Sequence, residues 1–385
     1  MKTGAWAGLA LAVPLLLSGC KGFWDAPAAS GSGGSGTTTE SSGNFYVLNA
    51  ATDEIAGQYV NQGKVTALSG SPYALPDTPL AMAIAPNGDF LYASTPSGIY
   101  LYTIGSGGQL TLATAGGPIS SDAAASMQVD ATNSWLVEAV SGTGEVFAIP
   151  INSSTGMATS SVEQHAVLPG SAIQQLAISP DDLRVFVAMG ADGTAIVPFS
   201  SGNKNPFGTV SPIAVEGSGG AAISVAVDPL DRIFFIGETA ATSGSNTGGL
   251  RAFDLSTMKE ISGSPFPSQG LAPYWILPWS TGSYVYVVNR QVSGSSTGVI
   301  AGFSIGSASG VYSLTALGST FAAGTHPVAL AEDSTATFVF AVNYDGSPDL
   351  TGYTLDGANA GYLDQVVTAA TGTDPVNATA IAATP

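Results

Sequence analysis

Residues 45–49 read FYVLN, and the same short apolar strand returns from Leu91, Leu136, Val185, Phe234, Val285 and Val339. Each return follows the last by roughly 45 to 54 residues, the period of a chain built from copies of one supersecondary unit. Working upstream from each copy, a second apolar strand runs into a turn: residues 81–88 (AMAIAPNG), 176–182 (LAISPDD), 224–231 (SVAVDPLD) and 276–282 (ILPWSTG). Pro, Asn, Asp and Gly supply the fixed or positive φ of a tight reversal, so each pair reads as a hairpin.

Downstream, a Gly/Ser/Thr loop leads to a third strand, as in residues 98–104 (GIYLYTI), 145–149 (EVFAI) and 250–255 (LRAFDL). A fourth, weaker strand follows a Gly-rich turn, as in 109–113 and 312–317. Four antiparallel strands per period with almost no helical periodicity predict an all-β, seven-bladed β-propeller. The folded region opens on a second-strand sequence at 45–49 and closes on a first-strand sequence at 378–385 (ATAIAATP). The closing blade is therefore expected to be built from both termini, which pairs edges that would otherwise be open.

The sequence from strand through Pro-Asn-Gly-like turn to Tyr-Val-x-Asn-like strand, as in 285–289 (VYVVN) and 339–343 (VFAVN), resembles the YVTN-repeat, lactonase-type seven-bladed propellers. The segments SGSPY (69–73) and SGSPF (262–266) are similar to a second element of that group. The resemblance covers residues 44–385. It implies the fold, and for activity it implies either sugar-lactone hydrolysis or a binding role, since one fold hosts many functions.

Residues 1–19 read as a lipoprotein signal peptide, with Lys2, an apolar run over 9–17 and small residues before Cys20. Residues 17–20 (LSGC) resemble a bacterial lipobox, which implies cleavage before Cys20 and its lipidation. Cys20 is the only cysteine. Residues 20–43 carry the lipidated cysteine and a Gly/Ser-rich tether, and 44–385 form the propeller. The expectation is an exported chain, lipid-anchored in the cell envelope. Lys21, where an inner-membrane retention aspartate stands in some bacteria, favours the outer membrane of a Gram-negative cell.

Charged residues make up only 9% of the chain and the formal charge is -18, with nine Lys plus Arg. That leaves no basic stripe for a nucleic acid and few groups for a phosphorylated substrate.

Antiparallel strands place the loops after second strands and the loops leading into first strands on one face. There the sequence gathers Thr78, Tyr274, His326 and Asp374 with Asn49, Glu238, Asn289, Arg290, Asn343, Tyr344 and Asp345. The opposite face is expected to hold only tight turns. His326, directly before Pro327, is the catalytic candidate: a general base on water attacking a lactone carbonyl, with Arg290 stabilising the oxyanion and Asp345 as acidic neighbour. The competing reading has His326 closing a loop by bonding to backbone. Asn289, Asn343, Tyr344, Tyr274 and Glu238 are the ligand-binding candidates for a carbohydrate or lactone. Glu238, Asn289, Asn343 and Asn49 also invite comparison with metal-dependent lactonase propellers. Because Asn belongs to the repeat itself, closing turns explains them better, and no metal or other cofactor is expected. Tyr274, Trp275 and Trp279 put large rings where other first strands carry Ala, Ile or Val, either filling the core or offering a stacking platform. Long polar loops at 238–249 and 290–298 lie on the candidate face. The leading expectation is a ligand-binding or protein-interaction module in the envelope; the alternative is a lactonase-like hydrolase.

Overall fold

Six first hairpins turn on one six-residue pattern. The first residue's N–H donates to the carbonyl of the sixth, and the fourth residue's N–H donates back to the first: Ala85 with Phe90 and Gly88, Asp130 with Trp135 and Asn133, Ser179 with Arg184 and Asp182. The same pair of bonds recurs from Asp228, Trp279 and Asp333. The fourth residue is left-handed in every copy, with φ of +74° at Gly88, +54° at Asn133, +56° at Asp182, +54° at Asp231, +68° at Gly282 and +53° at Ala336. Gly, Asn and Asp are the residues that tolerate this region.

These turns organise the computed structural model, which describes residues 42–61, 64–113, 117–372 and 377–385. Seven antiparallel sheets form a seven-bladed β-propeller. Blade 1 joins the termini: Ala378–Ala383 is innermost, followed outwards by Ser42–Asn49, Glu54–Asn61 and Lys64–Ala67, with the short strand Tyr73–Ala74 also on Glu54–Asn61. Phe45 faces Ala383 and Leu48 faces Ala380 across the closing pair. From the axis outwards, blade 2 is Ala81–Ile84, Phe90–Thr95, Gly98–Ile104 and Leu110–Leu112. Blade 3 is Ala124–Val129, Trp135–Val140, Glu145–Pro150 and Gln164–Val167. Blade 4 is Gln175–Ile178, Arg184–Ala188, Thr194–Pro198 and Ser211–Ile213. Blade 5 is Ala222–Val227, Ile233–Glu238, Gly249–Asp254 and Lys259–Glu260. Blade 6 is Pro273–Pro278, Tyr284–Asn289, Thr297–Ala308 and Val311–Thr325. Blade 7 is Pro327–Glu332, Phe338–Asn343, Leu350–Leu355 and Leu363–Ala369.

The core lies between blades. Seven buried apolar clusters each combine residues of two neighbouring blades. Phe45 stacks on Phe340 with centroids 4.4 Å apart, joining blades 1 and 7, and Phe186 stacks on Phe234 at 4.4 Å, joining blades 4 and 5. Three tyrosines at one position of the second strand reach the next blade: Tyr46 donates to the Gly108 carbonyl, Tyr92 to Gly156 and Tyr286 to Gly361. Inter-blade packing therefore explains these aromatics.

First strands are stitched sideways as well. Leu176 N donates to Ser126 Oγ, Ile178 N to Gln128 Oε1 and Val225 N to Gln175 Oε1, while Ser224 Oγ donates to the Pro273 carbonyl. Side chains of one blade thus satisfy backbone groups of the next, which a free inner edge would leave unpaired. One expectation fails. The face of the first-hairpin turns also carries the long segments 151–163 and 199–210, joining third and fourth strands in blades 3 and 4. The fourth strand expected at 312–317 lies inside the 15-residue strand Val311–Thr325.

Candidate functional site

His326 ends the segment that leads into the first strand of blade 7. Its backbone is left-handed, φ +49°, a conformation unusual for any residue but Gly and held here from both sides. His326 N donates to the Ser296 carbonyl, and its own carbonyl accepts from Tyr344 N. The imidazole Nδ1 lies 2.6 Å from Asp345 Oδ2, with side chains 27% and 45% exposed. Backbone bonds fix the loop, as the loop-closing reading expects, while the ring meets a carboxylate.

Arg290 follows the second strand of blade 6. Its guanidinium carbon lies 5.1 Å from the ring centroid of Tyr274 and 5.3 Å from that of Tyr344. Two aromatic faces attract the cation through their quadrupoles. Tyr344 joins the two halves, since its ring meets Arg290, its N–H meets His326, and Asp345 is the next residue. The Tyr344 carbonyl accepts from Asn377 Nδ2. Tyr274, Arg290, His326, Tyr344 and Asp345 thus form one half-exposed polar-aromatic surface across blades 6 and 7. Arg290 is the only Lys or Arg after Lys259.

Asn289, Asn343 and Glu238 are elsewhere, which corrects their placing among ligand-binding groups. Asn289 and Asn343 are completely buried and Glu238 is 2% exposed. Asn289 Nδ2 donates to the Ser268 carbonyl and its Oδ1 accepts from Ser268 Oγ. Asn343 Oδ1 accepts from Gly324 N, and its Nδ2 donates to Thr351 Oγ1. At the same position in blade 1, Asn49 Nδ2 donates to the Thr371 carbonyl. The repeat asparagine ties the end of the second strand to the segment that leads into its blade. Glu238 does so ionically: it accepts from Arg251 Nη1 at 2.9 Å, from Asn246 Nδ2 and from Glu216 N. Arg251 also forms a fork with Glu260 at 2.9 and 2.8 Å.

Of the remaining rings, Trp279 is buried and meets Tyr286 edge-on at 6.0 Å, Trp275 packs partly against the core, and Tyr274 is 36% exposed. Cys20 and Asp374 lie outside the described residues. A cleft of about 310 Å³ opens between the long loops of blades 5 and 6, lined by Thr247, Ser268, Leu271 and Ser293 among others. A second, of about 180 Å³, includes Thr325 and Gly346, the neighbours of His326 and Asp345. Neither cleft includes the His–Asp pair, so the paired groups sit on an open surface beside these hollows.

Sequence reasoning passed over one cluster. Glu138 interrupts the apolar second strand of blade 3, Trp135–Val140 (WLVEAV), at a position where blades 5, 6 and 7 carry Ile236, Val287 and Ala341. That break in the repeat was the available signal. Burial, together with the facing Asp122 and Glu163, pushes the Glu138 carboxyl up to about 9. Glu163 rises to about 7, through burial and then Asp122.

Residues 233–380 match the family model described as Lactonase, 7-bladed beta-propeller. That stretch runs from the second strand of blade 5 into the closing strand of blade 1. No curated protein matches the chain. Among solved structures, a protein from Bacteroides uniformis, provisionally described as a 6-phosphogluconolactonase, is 16% identical. The pair covers 88% of this chain and 98% of that one, with a TM-score of 0.68. The periplasmic gluconolactonase of Pseudomonas aeruginosa is 16% identical over 89% of this chain and 99% of its own, with a TM-score of 0.63. The propeller domain of Cps50 (Swd1) from "Myceliophteria_thermophila" is 13% identical over 80% of this chain and 90% of its own, with a TM-score of 0.56. At such identities the likeness establishes the fold alone.

Proposed function

We propose that this lactonase-type propeller hydrolyses sugar lactones, with His326 as general base. The observation that carries this reading is the 2.6 Å pairing of His326 Nδ1 with Asp345, one residue from the Tyr344 ring that holds Arg290. With Nδ1–H donated to Asp345, Nε2 is left with its lone pair, and the carboxylate stabilises the imidazolium that forms. Nε2 takes a proton from water as the oxygen attacks the lactone carbonyl. Arg290 donates to the developing oxyanion. Collapse of the tetrahedral intermediate breaks the ring C–O bond, and the imidazolium returns its proton to the leaving alkoxide, giving the open hydroxy acid. Arg290 is spent on the oxyanion and is the only Lys or Arg in blades 6 and 7, so unphosphorylated lactones suit the site better than phosphorylated ones. This reading displaces the expectation of a pure binding module, because a base with its orienting carboxylate exceeds what binding alone requires.

The test is turnover of a panel of sugar δ- and γ-lactones, phosphorylated and not, by the purified full chain. His326→Ala should lower kcat/KM by about 10²- to 10⁴-fold with the circular dichroism spectrum unchanged. Absence of turnover across the panel, or full activity in His326→Ala, would reject the hydrolase.

For location, the lipobox-like LSGC at 17–20 supports lipidation of Cys20 and anchoring in the envelope membrane, where two or more acyl chains hold firmly. Cys20→Ser should move the protein from the membrane to the soluble fraction; retention on membranes would count against the anchor.

A further inference from the structure

Glu138 is 0% exposed, and neither of its carboxylate oxygens meets a hydrogen-bond donor. A buried carboxylate in that condition strongly opposes folding unless a proton or a cation neutralises it. Protein cations are remote in sequence, with no Lys or Arg between Lys64 and Arg184. The nearer histidine, His165, sits on the outermost strand, 3.8 Å from Glu145. What faces Glu138 is more negative charge. Asp122 comes from the segment leading into blade 3 and Glu163 from the segment before its fourth strand, and one oxygen of each of the three lies within 4.8 Å of the others. Ser120 Oγ donates to Glu163 Oε1 and accepts from Asp122 N, which fixes the two outer carboxylates relative to one another. Asp122 and Glu163 are half-buried, so the cluster is closed beneath by Glu138 and open at its rim.

We propose that Asp122, Glu138 and Glu163 bind a hard divalent cation of the calcium type. The site lies where the segment arriving from blade 2 meets blade 3, well round the ring from His326. Its donors are all oxygen, which excludes the preference of zinc for nitrogen and sulfur. Calcium accepts six to eight oxygens in irregular geometry, so carboxylates from three separate segments plus water at the open rim can satisfy it. Magnesium demands a near-ideal octahedron. The cation would tie strand, connecting segment and loop together without taking part in lactone chemistry.

Calorimetric titration of the chelator-stripped, full-length chain with calcium chloride tests this. One saturable site is expected, weakened at least about tenfold in Glu138→Gln and in Asp122→Asn. Thermal unfolding provides the second readout: calcium should raise the Tm of the parent chain and leave that of Glu138→Gln unchanged, while Glu138→Gln in chelator should unfold no earlier than the parent. Absence of saturable binding at millimolar calcium would mean that a proton alone neutralises the cluster. Equal binding in Glu138→Gln would mean that the cation sits elsewhere on an acidic surface. Either result overturns the assignment.

Discussion

Ala336 occupies the one left-handed turn position in the six hairpins that is neither Gly, Asn nor Asp. A Cβ there meets the backbone sterics that make this region costly for L-residues. Ala336→Gly should raise stability by roughly 0.5–1 kcal/mol, seen as a higher urea midpoint with the same slope. An unchanged midpoint would mean that the packing of its Cβ beside blade 6 offsets the strain. Asn133, Asp182 and Asp231 do more than tolerate the conformation, because their side chains accept from Asn87 N, Ala131 N and Asp181 N of the preceding blade's turn. The turn residue therefore also joins neighbours. At this scale the sequence was legible in its turn chemistry, but the partners of Asn289 and Asn343 were not. An asparagine at a strand end has the same letters whether its amide faces a ligand or a carbonyl. Asn343→Ala should cost about 1–3 kcal/mol by leaving buried polar groups unpaired, and lactone affinity should be unaffected; an altered KM at unchanged stability would restore it to the binding site.

Among elements, the outer strands of blade 5 are joined by the ion pair of Arg251 with Glu260. Burial would raise the Glu260 carboxyl, but hydrogen bonds from Arg251 and Ser264 outweigh it and hold the group below its usual value of 4.5. A lowered carboxylate pKa in the folded state means that the unfolded chain binds more protons in the window beneath 4.5. The stabilisation is therefore present above that pH and lost as pH falls through the folded value. Thermal unfolding between pH 6 and 3 should show Glu260→Gln losing less stability than the parent over the acid range. Parallel curves would assign acid sensitivity to other carboxylates. Blade 6 departs from the repeat differently: its last two strands, Thr297–Ala308 and Val311–Thr325, form a long hairpin. Only a short portion of it, 312–317, carried a recognisable pattern: Ile300, Phe303, Leu314 and Phe321 are buried, but the tip at 306–311 is exposed and no core imposes alternation there.

Across the whole molecule, the ring stands on one pairing of the two ends. Ala378–Ala383 supplies the innermost strand of blade 1, burying Ala378 and Ile381, and pairs with 45–49 through one register shift between Leu48 and Asn49. Deleting residues 378–385 should leave blade 1 without its first strand and blade 7 with an uncovered flank. A broad or absent thermal transition and rising aggregation are expected; a sharp transition near that of the full chain would show that the remaining blades close without it. Sequence alone determined the blade count, the four-strand unit and this closure, because those follow from a period and from local turn geometry that each repeat states anew. It also marked where the repeat breaks, at His326 and Arg290. Tertiary structure decided what the breaks do. The pairing of His326 with Asp345, the seating of Arg290 between Tyr274 and Tyr344, and the convergence of Asp122, Glu138 and Glu163 join residues from separate segments. Those distances depend on how blades pack against one another, and a single chain's periodicity does not encode them.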